Sequence, residues 1–459
     1  MESLLLPFSM FTKQYFRMLP GNFSEISTWL IFAFGLYYFF KNKNFKDENI
    51  INFKALIFAL SINVIQLITM VYFQPRIATL PASAANPGVF HAWLDFTVVE
   101  LIIVMIFLIV RQNIYSDKAL IKFFKVFIMT FIIYMVAVLL PQLIGTLTKV
   151  IDPLLNVIGK LFEQRWQGRN FYVHGSYVTS LRRINGFAPE AGYLASQIGI
   201  VFIPVILACI KNEYDFFGKY WHKVRMYWIL LILSIIVLFF AKTSTGFYII
   251  GITALMLLFC ISKKDRHIVY IFAGVAVGIL LVGYIFVSPI RDLIDQYLFH
   301  KTGTSNRIGG TKGLLYTFLH YPITGVGNSM TNYFLLKYVP WSTRFNSEYF
   351  AVYSASGYPI LSNFMGWFAQ FGLIIMAPIT VYIVKKVKDA RLILSKSNDI
   401  LDDSTQKLYR TVMNSFVFFL IMYLCLSPLI FTWNENYYVI MFFVYVVTIS
   451  RLKSKLGLK

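Results

Sequence analysis

The chain alternates long apolar runs with short, mostly basic breaks. A membrane-crossing helix needs roughly 20 largely apolar residues. About eleven runs meet or approach that length: Ile26–Phe40, Ile51–Phe73, Ala92–Val110, Leu120–Thr146, Phe187–Ile210, Met226–Ala241, Ser244–Ile261, His267–Ser288, Ile360–Val384, Thr411–Phe431 and Asn434–Ser450. The pattern predicts an all-α, polytopic transmembrane helical bundle. No long Pro/Gly/Ser linker or internal repeat divides it, so residues 1–459 read as a single transmembrane domain. Two weakly apolar stretches interrupt the rhythm. Residues 147–185 form a first loop, whose Val150, Leu154, Leu155, Ile158, Leu161 and Phe162 have the spacing of a helix lying along a membrane surface. Residues 289–359 form a larger loop, expected to carry short helices. Loops of this length in a compact protein are usually functional.

Composition agrees with the pattern. The 459 residues are 58% hydrophobic and only 14% charged, where a soluble chain averages about 25% charged. Cys209, Cys260 and Cys425 all lie in apolar runs and have no metal-ligand spacing. The formal net charge of +21 comes from lysines and arginines scattered through short loops, with no basic domain. Positive charge placed this way reports membrane orientation and argues against a nucleic-acid partner. With the C-terminal tail inside, the inside loops hold the larger share of the 42 basic residues on a shorter total length. The two long loops then face outside. Both nevertheless carry basic excess, including Lys149, Lys160, Arg165, Arg169, Arg182 and Arg183 in the first and Arg291, Lys301, Arg307, Lys312, Lys337 and Arg344 in the second. That excess opposes the topology rule and calls for an anionic membrane-lipid headgroup.

Three motifs stand at the outer edges of spans. The first is Arg182-Arg183-Ile-Asn-Gly186-Phe-Ala-Pro189-Glu190. Pro189 suits the first position of a helix and Glu190 its first turn, where the helix dipole favours a carboxylate. Guanidinium groups match phosphate in bidentate fashion, although a basic pair can also simply anchor a helix end. The second motif runs from Arg307 to His320-Tyr-Pro322-Ile-Thr-Gly325-Val-Gly327, where the glycines permit a tight turn close to a ligand. The third, Ser362-Asn363 with Gln370 seven residues on, places two polar groups on one helix face. Such groups serve either interhelical bonds or a ligand. The short link Lys242-Thr-Ser244 adds a cation and a hydroxyl on the same side. Asp95 and Glu100 in the third span make a thin proton relay, so Glu100 is expected to be structural.

Taken in order, Arg183-x-x-Gly186-Phe-x-x-Glu190, Arg307 with Pro322-x-x-Gly325-x-Gly327, and Asn363 with Gln370-x-Gly372 resemble the O-antigen polymerase and ligase superfamily of integral membrane glycosyltransferases, the Wzy type. The resemblance covers roughly residues 180–375. It implies an architecture like the C-type glycosyltransferases in a bacterial inner (cytoplasmic) membrane, with the active site facing the periplasm. It implies an undecaprenyl-pyrophosphate-linked oligosaccharide as donor, transfer without metal or other cofactor, and a chain-length regulator protein as partner. Arg183 and Arg307 match the family's loop arginines. Arg183, Glu190, Arg307 and His320 are then the expected catalytic residues. Arg182, Lys242, Ser244, Gly325, Gly327, Ser362, Asn363 and Gln370 are the expected substrate contacts. Family members often carry His-Asn where this chain has Ser362-Asn363, and His320 and Glu190 are the available substitutes for that histidine. The departure favours a polymerase over a ligase moving polysaccharide onto a lipid A core. A polysaccharide-lipid flippase is the alternative from another class.

Overall fold

The structure, a computed structural model, describes residues 5–16, 21–41, 53–80, 88–165, 176–218, 224–261, 304–354, 357–399, 402–430 and 435–458, with isolated positions between 274 and 295. The chain is an all-helical, multi-pass membrane protein. Its helices are α1 (Leu5–Ser9), α2 (Ile26–Lys41), α3 (Phe53–Ile77), α4 (Val89–Asn113), α5 (Asp117–Leu147), α6 (Asp152–Phe162), α7 (Tyr177–Leu181), α8 (Ala191–Asn212), α9 (Arg225–Phe240), α10 (Ser244–Cys260), α11 (Thr304–His320), α12 (Asn332–Tyr338), α13 (Asn363–Lys396), α14 (Asp403–Leu426) and α15 (Asn436–Lys455). Among the described residues, α3, α4, α5, α8, α13, α14 and α15 are long and apolar enough to cross a membrane, while α2, α9 and α10 are apolar but shorter. A helix therefore stands at ten of the predicted span positions. The predicted span His267–Ser288 lies mostly outside the described residues.

Helix α8 is the centre of the bundle. Every residue from Ile198 to Cys209 is buried, as expected of a helix that is apolar all round. It packs against α14, α9 and α10. In contrast, α3 leaves Leu60, Ile68 and Val71 more than half exposed, the face a lipid-contacting helix presents. Helices α5 and α8 each contain a π-helical turn, Met135–Leu139 and Ile198–Phe202. Each turn ends shortly before a proline, Pro141 and Pro204. Proline cannot donate the next helical bond and its ring crowds the preceding turn, so the wider turn accommodates it.

The end bearing the C-terminal tail is closed by charge. Asp117, in the first turn of α5, accepts from Arg451 at 2.7 Å, Lys455 at 2.7 Å and Tyr409 at 2.8 Å. Lys453 pairs with Asp389 at 2.8 Å. These contacts join α5, α13, α14 and α15. The other end carries α6, α7, α11 and α12. There, α13 breaks its own helix: Gly372 has φ +60° and ψ −174°. The backbone groups freed by the break pair with the Pro322–Gly327 turn. Val326 N donates to Ala369 O at 2.9 Å, Gly327 N to Gln370 O at 3.0 Å, Leu373 N to Pro322 O at 2.7 Å and Ile374 N to Ile323 O at 3.0 Å. A helix can break inside a membrane protein only where such partners exist.

Glu100 on α4 accepts from Asn63 Nδ2 of α3 at 3.0 Å, and Asn63 Oδ1 accepts from Trp93 Nε1 at 2.7 Å. The Glu100 carboxylate is thus paired with a polar group of a neighbouring helix, as expected.

Candidate functional site

The loop-bearing end is built around the N-terminus of α8. Residues 182–190 reach it through a turn clamped by α5. Gln142 Oε1 accepts from Gly186 N at 2.7 Å and Asn185 N at 3.2 Å, while Tyr134 OH accepts from Phe187 N at 3.1 Å. Gly186 has φ +57°, and a Cβ there would lie 1.9 Å from the Tyr134 hydroxyl. The clamp also explains a small difference from the sequence reading. Helix α8 begins at Ala191, with Glu190 at the N-cap, because residues 185–188 are held in a turn. Glu190 makes no side-chain cap to its own helix.

The two adjacent arginines have different surroundings. Arg182 is bidentate to Asp152 of α6, at 2.8 and 2.9 Å, and donates to Gly145 O at 2.8 Å. Its charge is locally matched. Arg183 donates from Nη1 to Tyr177 OH at 2.9 Å and from Nε to Ala241 O at 3.3 Å. That second bond brings it to the link between α9 and α10. Lys242 sits in this link with φ +50°. Burial, then the nearby Arg183 and Arg182, pull the Lys242 ammonium below its ordinary range. Thr243 caps α10 by accepting from Gly246 N at 2.9 Å, and Ser244 opens the helix.

A second group forms where α11 meets the end of α14. Arg307 Nη1 donates to Leu429 O at 3.0 Å. Asn363 N donates to Ser427 O at 3.0 Å and to Ile430 O at 2.8 Å. One turn of chain, Ser427–Ile430, therefore holds both residues. Asn363 is 1% exposed, and among the described residues neither of its side-chain amide atoms has a hydrogen-bond partner. Ser362 caps α13 through Met365 N at 3.5 Å. Arg307 is positioned by its neighbour: Asn306 donates to Asn346 Oδ1 and Glu348 Oε2, both at 2.8 Å, and its carbonyl accepts from Tyr358 OH at 2.9 Å.

The two groups share α8. Tyr193, in its first turn, lies within electrostatic reach of Glu435, Glu190, Tyr438 and Arg307. Arg183, Lys242 and Ser244 stand where α10, which packs on α8, begins. Arg307 thus comes near the first turn of α8, while Arg183 and Lys242 stand at the start of the neighbouring α10.

The other expected residues lie elsewhere. His320 is at the far end of α11 from Arg307, ~20 Å along the helix at 1.5 Å per residue. It is exposed, bonded through Nδ1 to Tyr316 O at 2.8 Å and stacked on Tyr338 at 4.5 Å. Gly325, Gly327 and Gln370 are together, at the break in α13. Gln370 Oε1 accepts from Ser329 N at 3.0 Å and its Nε2 donates to Gly366 O at 3.2 Å.

The sequence reading missed four acidic or amide groups that shape this end: Gln142, Glu163, Glu25 and Glu435. Each sits alone in sequence without a motif, and only tertiary contact reveals it. Glu163 is 1% exposed and accepts from Tyr177 N at 2.8 Å and Asn185 Nδ2 at 2.7 Å. It ties the end of α6 to the arginine segment. Burial pushes its carboxyl up to about 7. The folded protein therefore holds this proton more tightly than the unfolded chain, whose glutamate titrates near ~4.3. The stabilisation is complete below that value and is lost as pH rises through about 7. Glu163→Gln is expected to remove roughly 3 kcal/mol of this pH dependence. The difference between wild-type and variant thermal midpoints, followed from pH 5 to 8 in detergent, measures it. A difference that does not change with pH would reject the assignment.

Glu25, just before α2, and Glu435, just before α15, form a second carboxyl site. Ser27 Oγ donates to Glu25 Oε2 at 3.2 Å and lies 3.4 Å from Asn436 Nδ2 as acceptor, joining the two helix starts. Burial, and for Glu25 also the neighbouring Glu435 charge, push both carboxyls above the carboxylate range. No family model matches this chain, and no curated protein or solved structure is found to match it.

Proposed function

We propose that the chain is an O-antigen or related surface-polysaccharide polymerase of the Wzy type, a glycosyltransferase that joins lipid-pyrophosphate-linked repeat units at the periplasmic face of a bacterial inner membrane. The observation that carries this reading is the meeting of Arg183 with Lys242 and of Arg307 with Asn363 around the α8 N-terminus. The donor's leaving group is an undecaprenyl pyrophosphate, which gains negative charge as the glycosidic bond breaks. Fixed guanidinium groups favour that transition state more than the ground state, and they need no reorganisation to do so. Ala241 O and Tyr177 OH orient Arg183, and Leu429 O orients Arg307. The membrane confines donor and acceptor to one surface and lowers the entropy cost of their encounter.

The test is direct. Purified protein is given a lipid-linked repeat unit, with and without lipid A core. A ladder of longer lipid-linked glycans is the expected product. Transfer only to the lipid A core would make the chain a ligase, and unchanged glycan would leave the flippase reading.

A further inference from the structure

We propose that Glu163 is a positioning residue for Arg183, fixing the arginine segment on both of its flanks with one oxygen atom; this rests on the polymerase reading above. A group that acts on a transition state must be held closely, since a misplacement of about 1 Å can cost about 100-fold in rate. Arg183 lies between α7 and α8, outside any helix. Helix α7 is five residues long, too short to hold its own shape without tertiary support. Arg182 follows it in the left-handed region, at φ +52°, with its N donating to Val178 O at 2.6 Å. The segment needs anchors from outside itself.

Glu163 supplies them. Its Oε1 accepts from Tyr177 N, on the near side of Arg183, at 2.8 Å, and from Asn185 Nδ2, on the far side, at 2.7 Å. The same Tyr177 turns its phenol back onto the arginine. Arg183 Nη1 donates to Tyr177 OH at 2.9 Å, and the guanidinium carbon stands 5.5 Å from the ring centre. The carboxyl therefore reaches Arg183 by two routes, through the Tyr177 side chain and through the backbone that returns from Asn185. Glu163 is itself fixed, because it directly follows α6 and its N donates to Gly159 O at 3.2 Å. The start of α6 is fastened to the same segment by the Asp152–Arg182 pair. Helix α6 is thus a splint laid along the arginine segment and tied to it at both ends. Gln142 does not duplicate this hold, since it takes Asn185 N and Gly186 N, both on the far side.

The role asks for an acceptor oxygen at glutamate's reach, and not for a charge. Both the neutral and the ionised carboxyl can accept the two bonds at Oε1, and so can the amide oxygen of glutamine. Aspartate is one methylene shorter and cannot reach Tyr177 N and Asn185 Nδ2 from the same backbone position. Glu163 and Tyr177 are 1% and 2% exposed, so water does not readily replace an oxygen withdrawn from between them.

The experiment measures turnover and donor KM of full-length purified protein with a lipid-linked repeat as substrate. The variants are Glu163→Gln, Glu163→Asp, Glu163→Ala and Tyr177→Phe, each alone and combined with Arg183→Ala. Glu163→Gln should keep half or more of wild-type turnover. Glu163→Asp and Glu163→Ala should each lower turnover about 10-fold or more, with donor KM changed less than about 3-fold. Tyr177→Phe keeps the ring, loses the acceptor of Arg183 Nη1, and should also fall about 10-fold. With Arg183→Ala present there is no guanidinium left to position, so none of these changes should cost more than about 3-fold further. If Glu163→Ala yields no folded protein, Glu163→Asp and Tyr177→Phe carry the test. An inactive Glu163→Gln beside an active Glu163→Asp would make charge the working property and overturn the assignment. Full turnover in Glu163→Asp or Tyr177→Phe, or an undiminished further loss on top of Arg183→Ala, would overturn it as well, while a wild-type ladder leaves the polymerase reading standing. A wild type that makes no ladder overturns the polymerase reading itself, and the positioning role with it.

Discussion

Arg183→Lys and Arg307→Lys are each expected to lower polymer formation about 100-fold or more, the usual effect of removing one transition-state donor. Lysine keeps the charge and loses the planar fork. The structure sharpens the reason. Arg183 spends Nε on Ala241 O and Nη1 on Tyr177 OH, and Arg307 spends Nη1 on Leu429 O. An ammonium group cannot reproduce those positioning bonds with the same planar geometry. One guanidinium satisfies two phosphate oxygens well, so a headgroup with more of them calls for the second. The double variant should be little worse than either single one, since groups acting as a unit are non-additive. Arg182→Lys is the contrast. Its partner is Asp152, so its loss should act mainly on the stability of the loop. Near-normal polymer length and yield with lysine at 183 or 307 would reduce that arginine to an interface anchor.

Gly372→Ala is expected to destabilise the folded chain on the order of 4 kcal/mol or more. The residue sits at φ +60° and ψ −174°, a region essentially closed to other residues, and a Cβ there would stand 2.3 Å from Ile323 O. Gly325→Ala meets the same obstacle from the other side, 2.5 Å from the Gln370 carbonyl. Neither clash involves the end of a flexible side chain, so neither can be relieved by a rotamer change. Gly251→Ala, in α10 with nothing within 4 Å of the added atom, should be neutral or gain slightly from helix propensity. Detergent-solubilised yield and thermal midpoint of the three variants separate these cases. A Gly372→Ala protein as stable as Gly251→Ala would refute the backbone-contact account.

Membrane spans were legible in sequence because lipid imposes one requirement, length of apolar helix, that a single run satisfies by itself. Arg183, Glu190, Arg307 and Asn363 were legible as members of an ordered set of motifs. What the spacing could not carry was the partner of each group. Nothing local distinguishes Arg182 from Arg183, because the difference is Asp152, which approaches from α6. His320 and Arg307 look close in sequence, yet helix geometry holds them apart. Gly325 and Gly327 read as a ligand turn, and their contacts are with the broken backbone of α13. Glu25 and Glu435 acquire their properties from burial, and Glu25 also from the neighbouring Glu435, neither of which a local pattern shows.

The ion cluster on Asp117 has a consequence for how the protein is made. Asp117 leaves the ribosome early, but Arg451 and Lys455 follow 334 and 338 residues later. At roughly 5–20 residues per second, the carboxylate waits on the order of 20–70 s for its counterions. The helix that delivers them, α15, also delivers Glu435. Biogenesis therefore locks this end and completes the carboxyl pair in the same step, and a nascent chain has neither until α15 is in place.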